Sequence, residues 1–187
     1  MAEYKKKTPK KITPSYLENV AVHYLERFSS SSANVEAVLM RRVETSLRFH
    51  GAPEREDAIA WVRQTVDKLK ERGFLDDAAY AAAKVRTFHR QGRSTRATRQ
   101  ALAAKGVDAE VTSASLTAFI EDEGGGDMDL SACATLARKR RLGPYRPEEE
   151  RAAHAAKDLA VLGRAGFSFE TARKVLNART PEEIEED

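Results

Sequence analysis

Ala104-Lys105-Gly106-Val107-Asp108-Ala109-Glu110 and Arg164-Ala165-Gly166-Phe167-Ser168-Phe169-Glu170 stand sixty positions apart and read alike. Each gives a helix end, a glycine stop, an apolar residue to bury, an N-capping Asp or Ser, and a glutamate in the next first turn. Each following stripe closes on a leucine ten residues past its glycine, Leu116 and Leu176. A stop-and-restart unit used twice is the mark of an internal repeat. A third copy near Gly51 is blurred by Pro53 and extra residues. One such unit cannot bury its own faces, so neighbours are expected to stack into an elongated helical array; the plainer alternative is an ordinary helical bundle whose caps look alike by chance.

Outward from these turns the helix signals continue in both directions. Thr13 caps and Pro14 opens a first helix, with Ser15 and Glu18 as an alternative capping box. Leu17, Val20, Ala21, Tyr24, Leu25 and Phe28 form its stripe, and Ser29 to Ser32 break it. Val35, Leu39, Val43 and Leu47 mark a second helix ending near Gly51, and Pro53 opens a third that Gly73 closes. A fourth follows Asp76-Asp77 and stops at Gly92; Ser94 caps a fifth, and Asp108 caps a sixth. A seventh from Leu130 stops at Gly143-Pro144, an eighth runs from Pro147 to Gly163, and a ninth from Ser168 to about Ala178. No stretch sustains period-two alternation, so the chain is predicted to be all-α, with nine helices in three groups of three. The expected organisation is a basic disordered N-terminal arm (1–13) and three helical repeats (14–75, 76–123, 130–178). An acidic glycine linker (124–129) and an acidic tail (179–187) complete it.

Charge sharpens the picture. The 187 residues carry 32 Lys and Arg against 29 Asp and Glu, a net +3. That total excludes a uniformly basic chromatin-like protein and an acidic disordered tail protein. It is, however, a sum of opposed blocks. Residues 78–106 hold seven cations and no acid, residues 107–130 seven acids and no base, and residues 131–146 five cations and no acid. The stretch from Thr180 holds five acids and no base. Arg86 and Arg90 are four apart, and Arg96 and Arg99 three apart, so each pair shares a helix face. Arg93 precedes the N-terminus of the fifth helix, where free N–H groups and the dipole favour an anion. With Lys105, and with Arg138, Lys139, Arg140 and Arg141 as a second set, these are the candidate binding residues. Arginine's planar fork suits phosphates and carboxylates alike. The plainer reading is a solvated face paired internally with the acids of 107–130.

Residues fit for catalysis are scattered. His23, His50, His89 and His154 stand singly, without a cysteine cluster, so no metal or other cofactor is expected. His154 and Asp158 read as an exposed pair, and Asp76 and Asp77 as an N-cap and a first-turn acid. Gly124-Gly125-Gly126 lacks a following Lys-Ser or Lys-Thr and reads as linker. Trp61 and the phenylalanines fall on apolar stripes and read as core, and Cys133 reads as a small packing residue. No catalytic residue is assigned. A single cysteine permits no internal disulfide, and no run approaches the roughly 18 apolar residues of a membrane span. The lysines near the N-terminus lead into Ile12 to Asn19, which is no signal-peptide core. A cytoplasmic monomer is the expectation.

Glu71-Arg72-Gly73-Phe74-Leu75-Asp76-Asp77-Ala78-Ala79-Tyr80-Ala81 resembles the diagnostic segment of RecX regulatory proteins. There a glycine, an aromatic, a leucine and two aspartates join the first and second repeats. Gly92-Arg93-Ser94 with Leu102-Ala103-Ala104-Lys105-Gly106-Val107 is similar to the family's second-repeat pattern. Tyr24-Leu25-Glu26-Arg27-Phe28-Ser29 looks like its first-repeat helix end. The resemblance covers about residues 14 to 178 and is strongest over 71–107, with Gly73, Phe74, Leu75, Asp76, Asp77 and Gly106 as its structural motif. The chain departs from the pattern at Ser29 to Ser32 and at Gly51-Ala52-Pro53, where members carry a Lys-Gly turn. It departs again at Ser94-Thr95, where many carry further basic residues.

The resemblance implies three tandem three-helix repeats in a curved, elongated array. It implies a partner, the RecA recombinase filament on single-stranded DNA. The expected effect is modulation, mostly inhibition, of RecA ATP hydrolysis, strand exchange and filament growth, with no enzymatic activity. The alternative is a helical protein that binds nucleic acid directly, without a RecA partner. Against a single-strand binder, aromatic interleaving is sparse: Tyr80, Phe88 and Tyr145 alone lie near the basic blocks.

Overall fold

The repeated turn is built as its residues require. At its first copy the Val107 N–H donates to the Leu102 carbonyl at 3.1 Å, and the Gly106 N–H to that of Ala103 at 2.8 Å. At its second the Phe167 N–H donates to Leu162 at 3.3 Å, and Gly166 to Gly163 at 3.0 Å. This double closure needs a left-handed residue, and Gly106 and Gly166 have φ of 69° and 94°. Val107 and Phe167 are buried directly behind them. Asp108 then accepts from the Glu110 N–H at 2.7 Å, and Ser168 from that of Thr171 at 3.0 Å. Each turn thus ends one helix and starts another.

The computed structural model describes residues 8–185, and every regular element among them is helical. In order these are α1 (Pro14–Leu25), α2 (Ser32–His50), α3 (Arg55–Glu71), α4 (Asp77–Arg90) and α5 (Thr95–Ala103). Then follow α6 (Ala109–Asp122), α7 (Met128–Arg140), a 3₁₀ turn (Gly143–Tyr145), α8 (Glu148–Arg164), α9 (Phe169–Asn177) and α10 (Glu182–Glu185). The nine expected helices are present and the class is all-α. The tenth escaped the pattern because its four residues carry one apolar side chain, Ile184, among acids. Ile184 is buried and packs into the core of the helices before it.

Two compact units divide the chain between Tyr80 and Ala81. In the first, Leu17 and Ala21 of α1, Val35, Leu39 and Val43 of α2, and Val62, Val66 and Leu69 of α3 make one core. In the second, Cys133 and Ala137 of α7, Leu162 of α8, and Ala172 and Val175 of α9 make another.

Two aspartates do more than the sequence suggested. Asp76 caps its own helix, accepting from the Ala79 N–H at 2.9 Å. Asp77, at the start of α4, accepts from the Ser32 N–H at 2.8 Å, so it caps the N-terminus of α2. Asp129, at the start of α7, does the same for α5, accepting from the Thr95 N–H at 2.7 Å and its hydroxyl at 2.9 Å. The second helix of each of the first two groups is therefore capped by the first helix of the following group. The corresponding helix of the third group, α8, has no side-chain cap and carries Glu148, Glu149 and Glu150 in its first turn.

Several expectations change. Of the arm expected over residues 1–13, residues 1–7 lie outside the described residues. The remainder is anchored: Ile12 is buried in the first core, and His50 Nε2 donates to the Pro9 carbonyl at 2.8 Å. α3 opens at Arg55, after a Glu54 cap, so Pro53 lies ahead of the helix and does not open it. The linker is shorter than 124–129: Asp127 is the N-cap of α7, accepting from Asp129 and Leu130, and Met128 and Asp129 are helical. Phe28, Phe49, Phe74 and Phe169 are exposed rather than core. Phe28 fails because α1 ends at Leu25, so the stripe is read past the last helical turn. His154 and Asp158 do not form an exposed pair: Asp158 is buried, 3.2 Å from Arg146 Nη2, and accepts from the Gly143 N–H. His154 instead meets the Glu150 carbonyl.

Candidate interaction face

All ten candidate cations are exposed. Among the described residues, none of Arg86, Arg90, Arg93, Arg96, Arg99, Arg138, Lys139, Arg140 or Arg141 forms an ion pair. Internal neutralisation by the block 107–130 is therefore not what occupies them. Three of that block's acids, Asp108, Asp127 and Asp129, are engaged on helix N-termini instead. A backbone N–H is the better partner there, because the helix dipole adds to the bond.

The structure brings part of the set together. Ala83, Arg86, Thr87 and Arg90 follow one another along one face of α4 at helical spacing. They line an open groove of about 710 Å³ whose far side is Thr135 and Arg138 of α7. His89 and Phe119 floor it, their rings 4.9 Å apart, and Glu123 is the one acid on its wall. Lys139 of α7 donates to the Arg90 carbonyl at 2.9 Å, tying the two helices and placing a cation on the C-terminal end of α4. A second hollow of about 400 Å³ shares His89, Phe119, Glu123, Thr135 and Arg138 and continues onto Met128, Leu130, Tyr145 and Ile184. Three guanidinium groups without an ion pair among the described residues thus line one groove with Thr135 and with Thr87, whose hydroxyl donates to the Ala83 carbonyl at 2.9 Å.

Other candidates stand apart. Arg93 is the third residue past α4, its guanidinium 4.5 Å over the Phe88 ring while its N–H closes the turn onto the Phe88 carbonyl. A cation–π contact takes the place that an apolar residue fills at Val107 and Phe167. The anion site expected at the N-terminus of α5 is already filled, by the chain's own Asp129 and by Ser94 Oγ, which accepts from the Ala97 N–H. Arg96 and Arg99 lie on α5, and Arg99 donates to Ser113 Oγ at 2.7 Å. Lys105 follows α5, and Arg140 ends α7. Arg141 has a structural backbone task, closing α7 in the left-handed conformation at φ 53°. The residues missed from sequence were Thr87, Thr135, His89 and Phe119. The stripe from Ala83 to Arg90 was their one local signal, and Thr135 joins only through packing.

Among the described residues no group of His, Cys, Asp and Glu is placed to hold a metal ion, and no helix is long and apolar enough to cross a membrane.

Residues 76–116, which include the first wall of this groove, match the family model described as RecX, second three-helix domain. Over 173 residues the chain is 43% identical to the regulatory protein RecX of Myxococcus xanthus (strain DK1622), covering 92% of this chain and 90% of that one. The chain belongs to the RecX family. A second member, the regulatory protein RecX of Agrobacterium fabrum (strain C58 / ATCC 33970), is 42% identical over 172 residues, 92% of this chain and 87% of that one. The fold agrees with solved RecX structures. A crystal structure of RecX from Lactobacillus salivarius superposes with a TM-score of 0.61 at 20% identity, covering 93% of this chain and 97% of that one. Another RecX crystal structure gives 0.59 at 22% identity, over 88% and 72%. Both of these two sequence relatives carry the name of a regulatory protein.

Proposed function

We propose that this chain is a cytoplasmic regulator that binds the RecA filament on single-stranded DNA. In this reading it modulates, and mostly inhibits, RecA ATP hydrolysis, strand exchange and filament growth, without being an enzyme. The observation that carries the reading is the 43% identity to a RecX regulatory protein over nearly the whole of both chains. The cations give it a means. Arg86, Arg90 and Arg138 are the primary contact, because they share one groove. Arg93, Arg96, Arg99 and Lys105 extend the face, with Lys139, Arg140 and Arg141 at its border. Residues 14–75, 76–123 and 130–178 serve as three repeats offering successive contacts to an ordered partner.

The test is RecA ATPase and strand exchange on single-stranded DNA, with the chain added well below the RecA concentration. Inhibition that rises with the chain's concentration is expected; no effect at any ratio overturns the reading. A second reading, direct binding to nucleic acid, is favoured by the threonine-lined arginine groove, which suits phosphodiesters. It requires affinity for naked DNA that falls steeply with salt and owes nothing to RecA.

A further inference from the structure

The chain carries a second surface of opposite character. In the first unit, the end of α1 and the α3–α4 turn enclose an open groove of about 430 Å³. Its apolar lining includes Val22, Leu25, Phe28 and Phe74, and its acids are Glu26 and Asp76, both exposed. Phe28 is 52% exposed and Phe74 56% exposed.

Neither phenylalanine is a random surface residue. The turn after α3 is built like those at Gly106 and Gly166, with the Phe74 N–H donating to the Leu69 carbonyl at 2.9 Å and Gly73 to Lys70 at 2.9 Å. In those two turns the residue after glycine is buried. Here the next residue, Leu75, takes the buried place, and the larger Phe74 is left in water. Exposing a phenyl ring in a groove that already exposes Phe28 forfeits apolar burial that the turn secures elsewhere. The opposite wall is held in place. Phe28 packs against Tyr24 at 5.2 Å with the Arg27 guanidinium 5.7 Å from its ring, and Asn34 bonds both the Tyr24 hydroxyl and Ser30. Two exposed phenylalanines lining one groove, one of them held by packing on Tyr24, are what an interface anchor needs.

Charge decides the occupant. The acids at Glu26 and Asp76 repel phosphate and carboxylate, so this groove is unsuited to a nucleic-acid strand and to the anions that the arginine groove favours. It suits an apolar side chain flanked by lysine or arginine. We propose that the Phe28–Phe74 groove is a docking site for such a segment on the RecA protomers of the filament. This rests on the regulatory reading above, and adds to it that the contact includes protein as well as any phosphate.

The experiment measures affinity of the full-length chain for RecA filaments assembled on oligothymidylate, and for the naked oligonucleotide, over a range of salt. Phe28→Ala with Phe74→Ala is expected to weaken filament binding about tenfold, a hot-spot-sized loss, without altering the salt slope or naked-DNA binding. Glu26→Lys is expected to weaken filament binding severalfold. Phe49→Ala with Phe169→Ala, equally exposed but outside the groove, is expected to bind as the unaltered chain does. Unchanged filament binding by Phe28→Ala/Phe74→Ala overturns the proposal, as does an equal loss on naked DNA. Loss of self-association in place of filament affinity, read by sedimentation, assigns the groove to a second copy and also overturns it. If the unaltered chain fails to bind the filament, the regulatory reading itself falls.

Discussion

Cys133 is wholly buried on α7, and burial, helped by the nearby Asp129 and Asp127 carboxylates, pushes its thiol up to about 12. The folded chain therefore holds the neutral thiol. It should not react with a disulfide reagent in native conditions and should react fully once unfolded in guanidinium, as colorimetric thiol counting would show. The folded value lies above that of an ordinary thiol, so this stabilisation is complete below about pH 9 and is lost as pH rises toward about 12. Comparing the denaturation of Cys133→Ala with that of the unaltered chain across that range isolates it. Gly92 gives a second test at this scale. A Cβ there would meet the Leu136 nitrogen at 2.8 Å and the Ala132 carbonyl oxygen at 3.0 Å, both backbone atoms, at a φ of 77°. Gly92→Ala should cost more than the ~1 kcal/mol of ordinary left-handed strain, read as a fall in unfolding free energy.

Among elements, the borrowed caps are the sharpest test. Asp129→Ala removes two bonds to Thr95 and should destabilise by about 1–2 kcal/mol; Asp77→Ala removes one and should cost about 1 kcal/mol. Urea titration of each variant checks this, and restoration by Asn would confirm capping rather than charge as the cause. These caps also mark how far the sequence could be read. Helix ends were legible because their signals are local: Thr13, Ser31, Ser94, Asp108 and Ser168 each cap the helix that follows directly. Asp77 and Asp129 reach helices 45 and 34 residues back, and no local rule finds a partner at that range. The same limit hid Asp158, whose counter-ion Arg146 stands just after the 3₁₀ turn, ahead of α8. The stripe through Phe28 misled for another reason: periodicity marks a face but not where its helix stops. The arginine groove was half legible, because α4 supplies one wall in sequence and α7 supplies the other only by packing.

At the scale of the molecule, the net charge of +3 hides two surfaces of opposite sign, each with its own partner chemistry. Arg86→Glu, Arg90→Glu and Arg138→Glu together should weaken anion binding strongly and flatten its salt dependence, by roughly one unit of logarithmic slope per phosphate contact removed. Arg96→Glu with Arg99→Glu should weaken filament binding less, because α5 lies outside the groove wall. Fluorescence anisotropy on labelled filaments over a salt series separates the two. The triple variant should keep its melting temperature within a few degrees, since none of its three arginines holds an acid among the described residues.

Caps taken from downstream also give the chain an order in time. During synthesis α2 leaves the ribosome with its Ser32 N–H unmet by any side chain until Asp77 follows, and α5 waits likewise for Asp129. Each early helix group is completed by the first turn of the group translated after it. Nascent chains stalled just before and just after Asp77 should therefore differ in protease resistance by more than one added residue would explain.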